Sequence, residues 1–237
     1  MDSAKAVEAA LWKKANKEKA EFFPRFFKTG PGEYGEGDQF IGVVVPEQRK
    51  IAKRFKNIAL KEIESLLQSP LHECRLTGLL ILVLQFQQAK DEPTRKEIFD
   101  FYMDHLDRVN NWDLVDSSAH KIVGPYLQDR SRKPLYRLAK AKNHLWKNRV
   151  AIIATLHFIK QGDLEDCIAL SQILLNHPHD LIHKAVGWML RESGKQNEGV
   201  LMAFIEDHGD DMPRTMLRYA IEKFSKEERQ AYLNGDI

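Results

Sequence analysis

Trp112 and Asp116 stand four residues apart in the segment Asn111-Trp112-Asp113-Leu114-Val115-Asp116-Ser117-Ser118, and Lys184 and Trp188 repeat that spacing further along. Residues four apart share a helical face, so each pair sets an indole beside a charged group. Arg149 lies between the two pairs in sequence. Indole faces attract cations. A carboxylate stabilises developing positive charge or accepts a proton from water, and Arg and Lys bind phosphate. Together they would set a carboxylate, two indoles and several cations at equivalent positions, which looks more like a site than like unrelated side chains. Each member also has a plainer reading: Trp packs in cores, an Asp early in a helix caps it, and an Arg balances a neighbouring carboxylate.

Other chemistries are not written in the chain. His177 and His179 are two apart, and the remaining histidines have no Cys or carboxylate partner at ligand spacing, so no metal site is expected. There is no H-E-x-x-H, no phosphate-binding P-loop and no G-x-S-x-G. Gly30, Gly32 and Gly35 formally match G-x-G-x-x-G, but no strand precedes them and no helical pattern starts before Pro46. They read as a mobile or functional surface loop. Cys74 and Cys167 lie far apart in apolar contexts and read as reduced core thiols.

These side chains must be positioned by helices. Glu73 to Gln87 and Val150 to Ile159 read as buried helices, and amphipathic stretches such as Ile168 to Leu175 surround them. The one strand-like run, Ile41 to Val45, reads as extended chain. Pro46, Pro70, Pro93, Pro134, Pro178 and Pro213 fall where new helical patterns begin, so proline punctuates rather than interrupts.

A basic residue precedes an apolar run at Arg149, Lys184 and Arg218, at intervals of 35 and 34 residues; Arg75 lies 74 before Arg149, with Trp112 midway. A period near 35 predicts helix pairs stacked as an all-α, right-handed solenoid of HEAT or armadillo type with a concave basic groove. One domain would span residues 1–237, with an N-terminal helical region and glycine-rich loop (1–45) followed by helical repeats (46–237).

The 237 residues are 43% hydrophobic and 30% charged, which excludes a disordered tail or a disulfide scaffold. The longest uncharged run, Leu76 to Ala89, is 14 residues, too short to span a bilayer, and the charged N-terminus is not a secretory signal, so a cytoplasmic location is expected. Net charge is only +2, but eight basic residues and no acid occupy Arg130 to Arg149, and six more occupy Arg49 to Lys61. That segregation predicts an electropositive face for a polyanion.

Over nearly its whole length the sequence resembles the AlkD-like family of bacterial DNA alkylation-repair glycosylases. The resemblance is carried by Trp112-Asp113-Leu114-Val115-Asp116-Ser117, by Trp146-Lys147-Asn148-Arg149-Val150-Ala151, and by Lys184-Ala185-Val186-Gly187-Trp188-Met189-Leu190-Arg191-Glu192. It implies excision of cationic N3- and N7-alkylpurines from duplex DNA, by a monomer, without metal, cofactor or Schiff-base lysine. It also implies that the base is not swung into a deep pocket, in keeping with a shallow groove. By resemblance Asp116 is the catalytic carboxylate, Trp112 and Trp188 contact lesion and sugar, and Arg149 binds the DNA backbone. Lys147, Lys184, Arg191 and Arg218 join Arg149 along the basic groove. Phe26 stands where the family has a lesion-facing tyrosine, keeping the ring and losing the hydroxyl. Asn111 replaces an aromatic, and the glycine-rich loop has no placed counterpart. The competing reading is a non-catalytic HEAT-like module that binds DNA or a protein through the same surface.

Overall fold

The computed structural model describes residues 2–142 and 144–235, and among them the chain is all-helical, with fifteen α-helices, two 3-10 turns and a single isolated bridge pairing Gln39 with Leu71. No helix among the described residues is long and apolar enough to cross a membrane. Two compact units form, Met1–Ile122 and Val123–Ile237.

In the first unit the helices are α1 (Ala4–Trp12), α2 (Lys17–Phe26), α3 (Val45–Arg54), α4 (Leu60–Leu67), α5 (His72–Gln88), α6 (Glu92–Asp104) and the start of α7 (Trp112–Leu127), which runs through the boundary. Helix α5 covers the expected buried segment and is apolar around its whole circumference, because α1, α3, α4 and α6 all pack on it. Pro46 and Pro93 occupy first turns, where their missing N–H leaves no bond unmade. Pro24 and Pro125 instead lie inside α2 and α7, against the expectation that proline only punctuates; Pro24 falls in the last turn, where one lost backbone bond costs least. The phase of α7 is fixed from beneath. The Ser118 hydroxyl reaches the Leu114 carbonyl (2.6 Å) and pairs with the buried Tyr102 hydroxyl of α6 (2.9 Å).

The glycine-rich loop is anchored rather than loose. Its far end, Ile41 to Val43, is buried, and the Glu73 carboxylate at the start of α5 accepts the backbone N–H groups of Ile41, Gly42 and Val43 at 2.8–3.2 Å. Gly42 has φ +82°, and a Cβ there would stand 2.1 Å from the Asn16 carbonyl oxygen.

In the second unit α8 (Lys133–Ala139), α9 (Leu145–Ala154), α10 (Leu156–Ile159), α11 (Glu165–Leu174), α13 (Glu198–His208), α14 (Arg214–Ala220) and α15 (Lys226–Asn234) gather around or beside α12 (Asp180–Gln196). Gly187 sets the closest approach: a Cβ there would meet the Met216 carbonyl oxygen at 2.4 Å, so α14 packs directly on the α12 backbone. The buried Asn148 amide donates to the carbonyls of Leu138 and Ala139 (2.8 and 2.9 Å), closing the end of α8. Both cysteines are buried free thiols, and burial pushes them up, to about 12 for Cys74 and about 11 for Cys167.

Gly42→Ala is expected to lower stability by at least about 2 kcal/mol through the combined clash and left-handed strain. Gly37→Ala is the control, because Gly37 has φ +88° and a Cβ added there would meet nothing within 4 Å; strain alone leaves a loss of about 1 kcal/mol. Urea denaturation of both variants checks this, and equal losses would show that the Asn16 contact is not what matters.

Candidate functional site

Segments far apart in the chain converge at the start of α5. His72, Glu73 and Arg75 are all buried there, and each finds its partner in a distant segment. Asp38, at the end of the glycine-rich loop, accepts from His72 Nδ1 at 2.8 Å and from Arg75 Nη2 at 2.5 Å. The other imidazole nitrogen, Nε2, donates to Asp113 at 2.8 Å. Asn111 completes the join: its amide donates to Asp38 (3.3 Å), and its side-chain oxygen accepts the N–H of Trp112 (2.8 Å). This short amide spans the gap from the first turn of α7 to Asp38.

Burial alone would discharge His72, yet Asp113 and Asp38 outweigh it and raise its pKa to about 9. Burial also works against ionised Asp38, but His72 and Arg75 prevail and hold it below the usual carboxylate range. The imidazolium lies against Phe27 and Phe40, with ring centroids 4.7 and 4.8 Å away. Phe27 in turn stacks on Trp112 at 5.4 Å and 14°, and Phe26 meets the same indole edge-on at 5.7 Å. A continuous aromatic cluster therefore rises from a buried cation to Trp112.

Above this cluster opens a cavity of about 550 Å³, walled mainly by Phe22, Phe23, Phe26, Phe27, Phe40 and Trp112. Asp113, Asp116, Ser117 and Lys121 of α7 line it, with Val45, Pro46 and Arg49 of α3 on another side. Asp116 is half-buried, one turn beyond Trp112 on the same face, while Leu114 and Val115 turn into the core. The structure thus brings Asp116, Trp112 and Phe26 together. Asp38, His72 and Glu73 were not singled out by sequence; the only local hint was charge at the head of an otherwise apolar helix.

The remaining expected site residues belong to the second unit. Trp188 is half-buried on α12. Arg149 is almost fully buried on α9 and donates to the Leu181 carbonyl. Lys184 pairs with Asp180 at 2.8 Å. Arg191 is tied to Glu192 and Glu222. Lys147 is half-buried and Arg218 is exposed. Part of the basic run also has structural duty. Arg132 pairs with Asp163 and Asp166 and lies 3.6 Å above the Phe158 ring, and Arg130 covers Tyr126. Lys133, Arg137, Lys140 and Lys142 are exposed. No group of three or more His, Cys, Asp or Glu among the described residues is arranged to hold a metal ion.

A family model described as "DNA alkylation repair enzyme" matches residues 7–224. The chain belongs to that family. A solved structure titled "Predicted DNA alkylation repair enzyme from Enterococcus faecalis" shares the repair-enzyme fold, with a TM-score of 0.69 at 18% identity, over 90% of this chain and 98% of that one. No curated protein matches the chain.

His72 makes the first unit of this repair-family chain sensitive to alkali. An unfolded His titrates near 6.5 and the folded one near 9, so between these values the folded state holds a proton that the unfolded chain has released. The stabilisation is complete below pH about 6.5 and is lost as pH rises through about 9, a loss on the order of 3 kcal/mol. Denaturation curves from pH 6 to 10 should show this fall, and His72→Gln, less stable at neutral pH, should lack it. Parallel curves for the two proteins would remove His72 as the source.

Proposed function

We propose that the chain is a DNA glycosylase that hydrolyses the N-glycosidic bond of cationic N3- and N7-alkylpurines in duplex DNA, with Asp116 as the catalytic carboxylate. One observation carries the reading: Asp116 is half-buried on the wall of an aromatic cavity, one helical turn from Trp112. Membership of the DNA alkylation repair enzyme family supports it.

An N-alkylated purine carries positive charge and leaves as a neutral base, so the leaving group needs little protonation. As the C1′–N bond breaks, the deoxyribose becomes oxocarbenium-like. Asp116 stabilises that charge and takes a proton from the water whose oxygen bonds to C1′; the proton then passes to solvent. Trp112 and Phe26 offer ring faces to the cation, and the lesion contact of Trp188, on α12, is carried over from the family resemblance alone. No cofactor enters the scheme.

The repeat register recurs along the chain. Asp116, Arg149, Lys184 and Arg218 are each the fifth residue of their helix, in α7, α9, α12 and α14, at intervals of 33, 35 and 34. Asp116 is therefore the α7 member of the series, displacing Trp112 from the midway position that spacing alone suggested. In this reading the helices form a HEAT-like solenoid whose basic positions Lys147, Lys184, Arg191 and Arg218 serve duplex DNA, while the DNA-backbone role that the resemblance gives Arg149 falls on a side chain buried against the Leu181 carbonyl.

Incubating the protein with duplex DNA containing N7-methylguanine or N3-methyladenine should release free base, and Asp116→Asn should slow release at least about 100-fold while duplex binding persists. No release by the unmodified protein, with binding intact, would leave the non-catalytic module in place of the glycosylase. Arg218→Ala should weaken duplex binding and reduce the slope of log affinity against log salt by about 1. An unchanged slope would take Arg218 out of the DNA contact.

A further inference from the structure

We infer that His72 is a positioning residue for the reaction: by donating from both ring nitrogens at once it fixes the first turn of α7, and through it the places of Trp112 and Asp116. This rests on the glycosylase reading and adds what holds the catalytic carboxylate in register.

The ring is shared between two carboxylates. Its Nδ1 lies 2.8 Å from Asp38 and its Nε2 2.8 Å from Asp113, and an ionised carboxylate only accepts. A neutral imidazole owns one N–H and the imidazolium two, so the imidazolium alone makes both bonds. Loss of its proton leaves one carboxylate facing a ring lone pair at hydrogen-bond distance. With the remaining proton on Nδ1, that carboxylate is Asp113, in the first turn of α7 itself. With it on Nε2, the carboxylate is Asp38, which holds the Asn111 amide immediately before that turn. Both tautomers unsettle the same turn.

That turn carries the site. Asn111 accepts the Trp112 N–H, and Asp116 follows Asp113 by three residues and Trp112 by four on one helix. Phe27 extends the link, since its ring packs on His72 and on Trp112 alike. His72 is only 2% exposed, so it acts through these groups and not on the substrate. The other charged groups about it are Arg75, which shares Asp38, and Glu73, which gathers the loop amides; Asp116, Arg49 and Lys121 line the same cavity. The carboxylates on either side hold the second ring proton up to pH about 9. Misplacing a reacting group by about 1 Å costs about 100-fold in rate, whereas duplex affinity comes mainly from phosphate contacts. Loss of the proton therefore acts on the excision step and spares binding.

Single-turnover excision of N7-methylguanine from duplex DNA, measured from pH 6 to 10 with saturating protein, tests this. Circular dichroism at each pH confines the comparison to folded protein. The unmodified protein should lose at least about ten-fold in rate as pH passes about 9. Asp113→Asn should lack that fall, because a neutral ring then donates through Nδ1 to Asp38 and accepts the new amide through Nε2. Comparing the two proteins at equal pH cancels the substrate's own ionisation. His72→Gln, whose one amide nitrogen does not serve both carboxylates, should excise at least about ten-fold more slowly at pH 7 with duplex binding kept. A purely structural His72 would change the melting temperature of these variants and leave the rates of the folded proteins alike. An alkaline fall shared by the unmodified protein and Asp113→Asn overturns the inference. So does folded His72→Gln working at the unmodified rate, and either result leaves the glycosylase reading standing. No release at any pH by the unmodified protein, with duplex binding intact, overturns both.

Discussion

A single carboxylate, Asp38, ties together three segments that are far apart in the chain: its own loop, the first turn of α5 through His72 and Arg75, and the entry to α7 through Asn111. Buried ion pairs are poor sources of net stability, because desolvating the charges cancels much of their attraction. What such a cluster supplies is a unique arrangement. With Arg75, His72 and Asn111 all directed at one carboxylate, any slip of the loop along α5 strands several charges in a low-dielectric interior, each at a cost of several kcal/mol. The loop therefore has one resting place. Glu73 reinforces it by gathering three successive backbone N–H groups, and the aromatic residues that the loop carries or adjoins, Phe40 and Phe27, are set against His72.

This arrangement explains why parts of the molecule were legible in sequence and others were not. Helix α5 was readable because its apolar run has no alternative to burial, and the first-turn prolines because their φ and missing donor permit little else. The Trp112–Asp116 face followed from helical geometry, and the cavity places both residues together with Phe26. The cavity itself was not legible. It depends on Asp38 meeting His72 across 34 residues and on Asp113 meeting it across 41, and nothing in local periodicity encodes a pairing at that distance. The anchoring of the glycine-rich loop was not legible for the same reason. Its composition reads as freedom, yet Gly42 is a glycine because the Asn16 carbonyl leaves no room for a Cβ.

Charge runs proved a blunt instrument. Of the eight basic residues from Arg130 to Arg149, Arg130 and Arg132 cover aromatic rings, Arg132 also pairs with two acids, and Arg149 is buried against a backbone carbonyl. Lys133, Arg137, Lys140 and Lys142 are the exposed members. Arg is well suited to the interior duties, since its planar, weakly hydrated guanidinium stacks and forks where a lysine ammonium would demand water. Position within a helix discriminates better than sign. The recurrence at the fifth residue of α7, α9, α12 and α14 sets one carboxylate, Asp116, among three basic residues, and that carboxylate lies on the cavity wall.

The buried charges beneath the cavity have a consequence for any reaction above it. A carboxylate stabilises a developing cation best when its surroundings are already arranged and need not reorganise as charge appears. Asp38 and Asp113 are answered by His72 and Arg75, and Glu73 by backbone amides, so the wall is internally satisfied before a ligand arrives. The ordered aromatic cluster that rises from His72 to Trp112 cannot relax without breaking that network. Asp116 therefore stands on a helix whose first turn is pinned at Asn111 and Asp113 and whose next turn is pinned at Ser118. Asp116 is half-buried there, on the cavity wall one turn beyond Trp112. Loosening the glycine-rich loop acts on the same carboxylate, through Asp38 and the first turn of α7, without touching it.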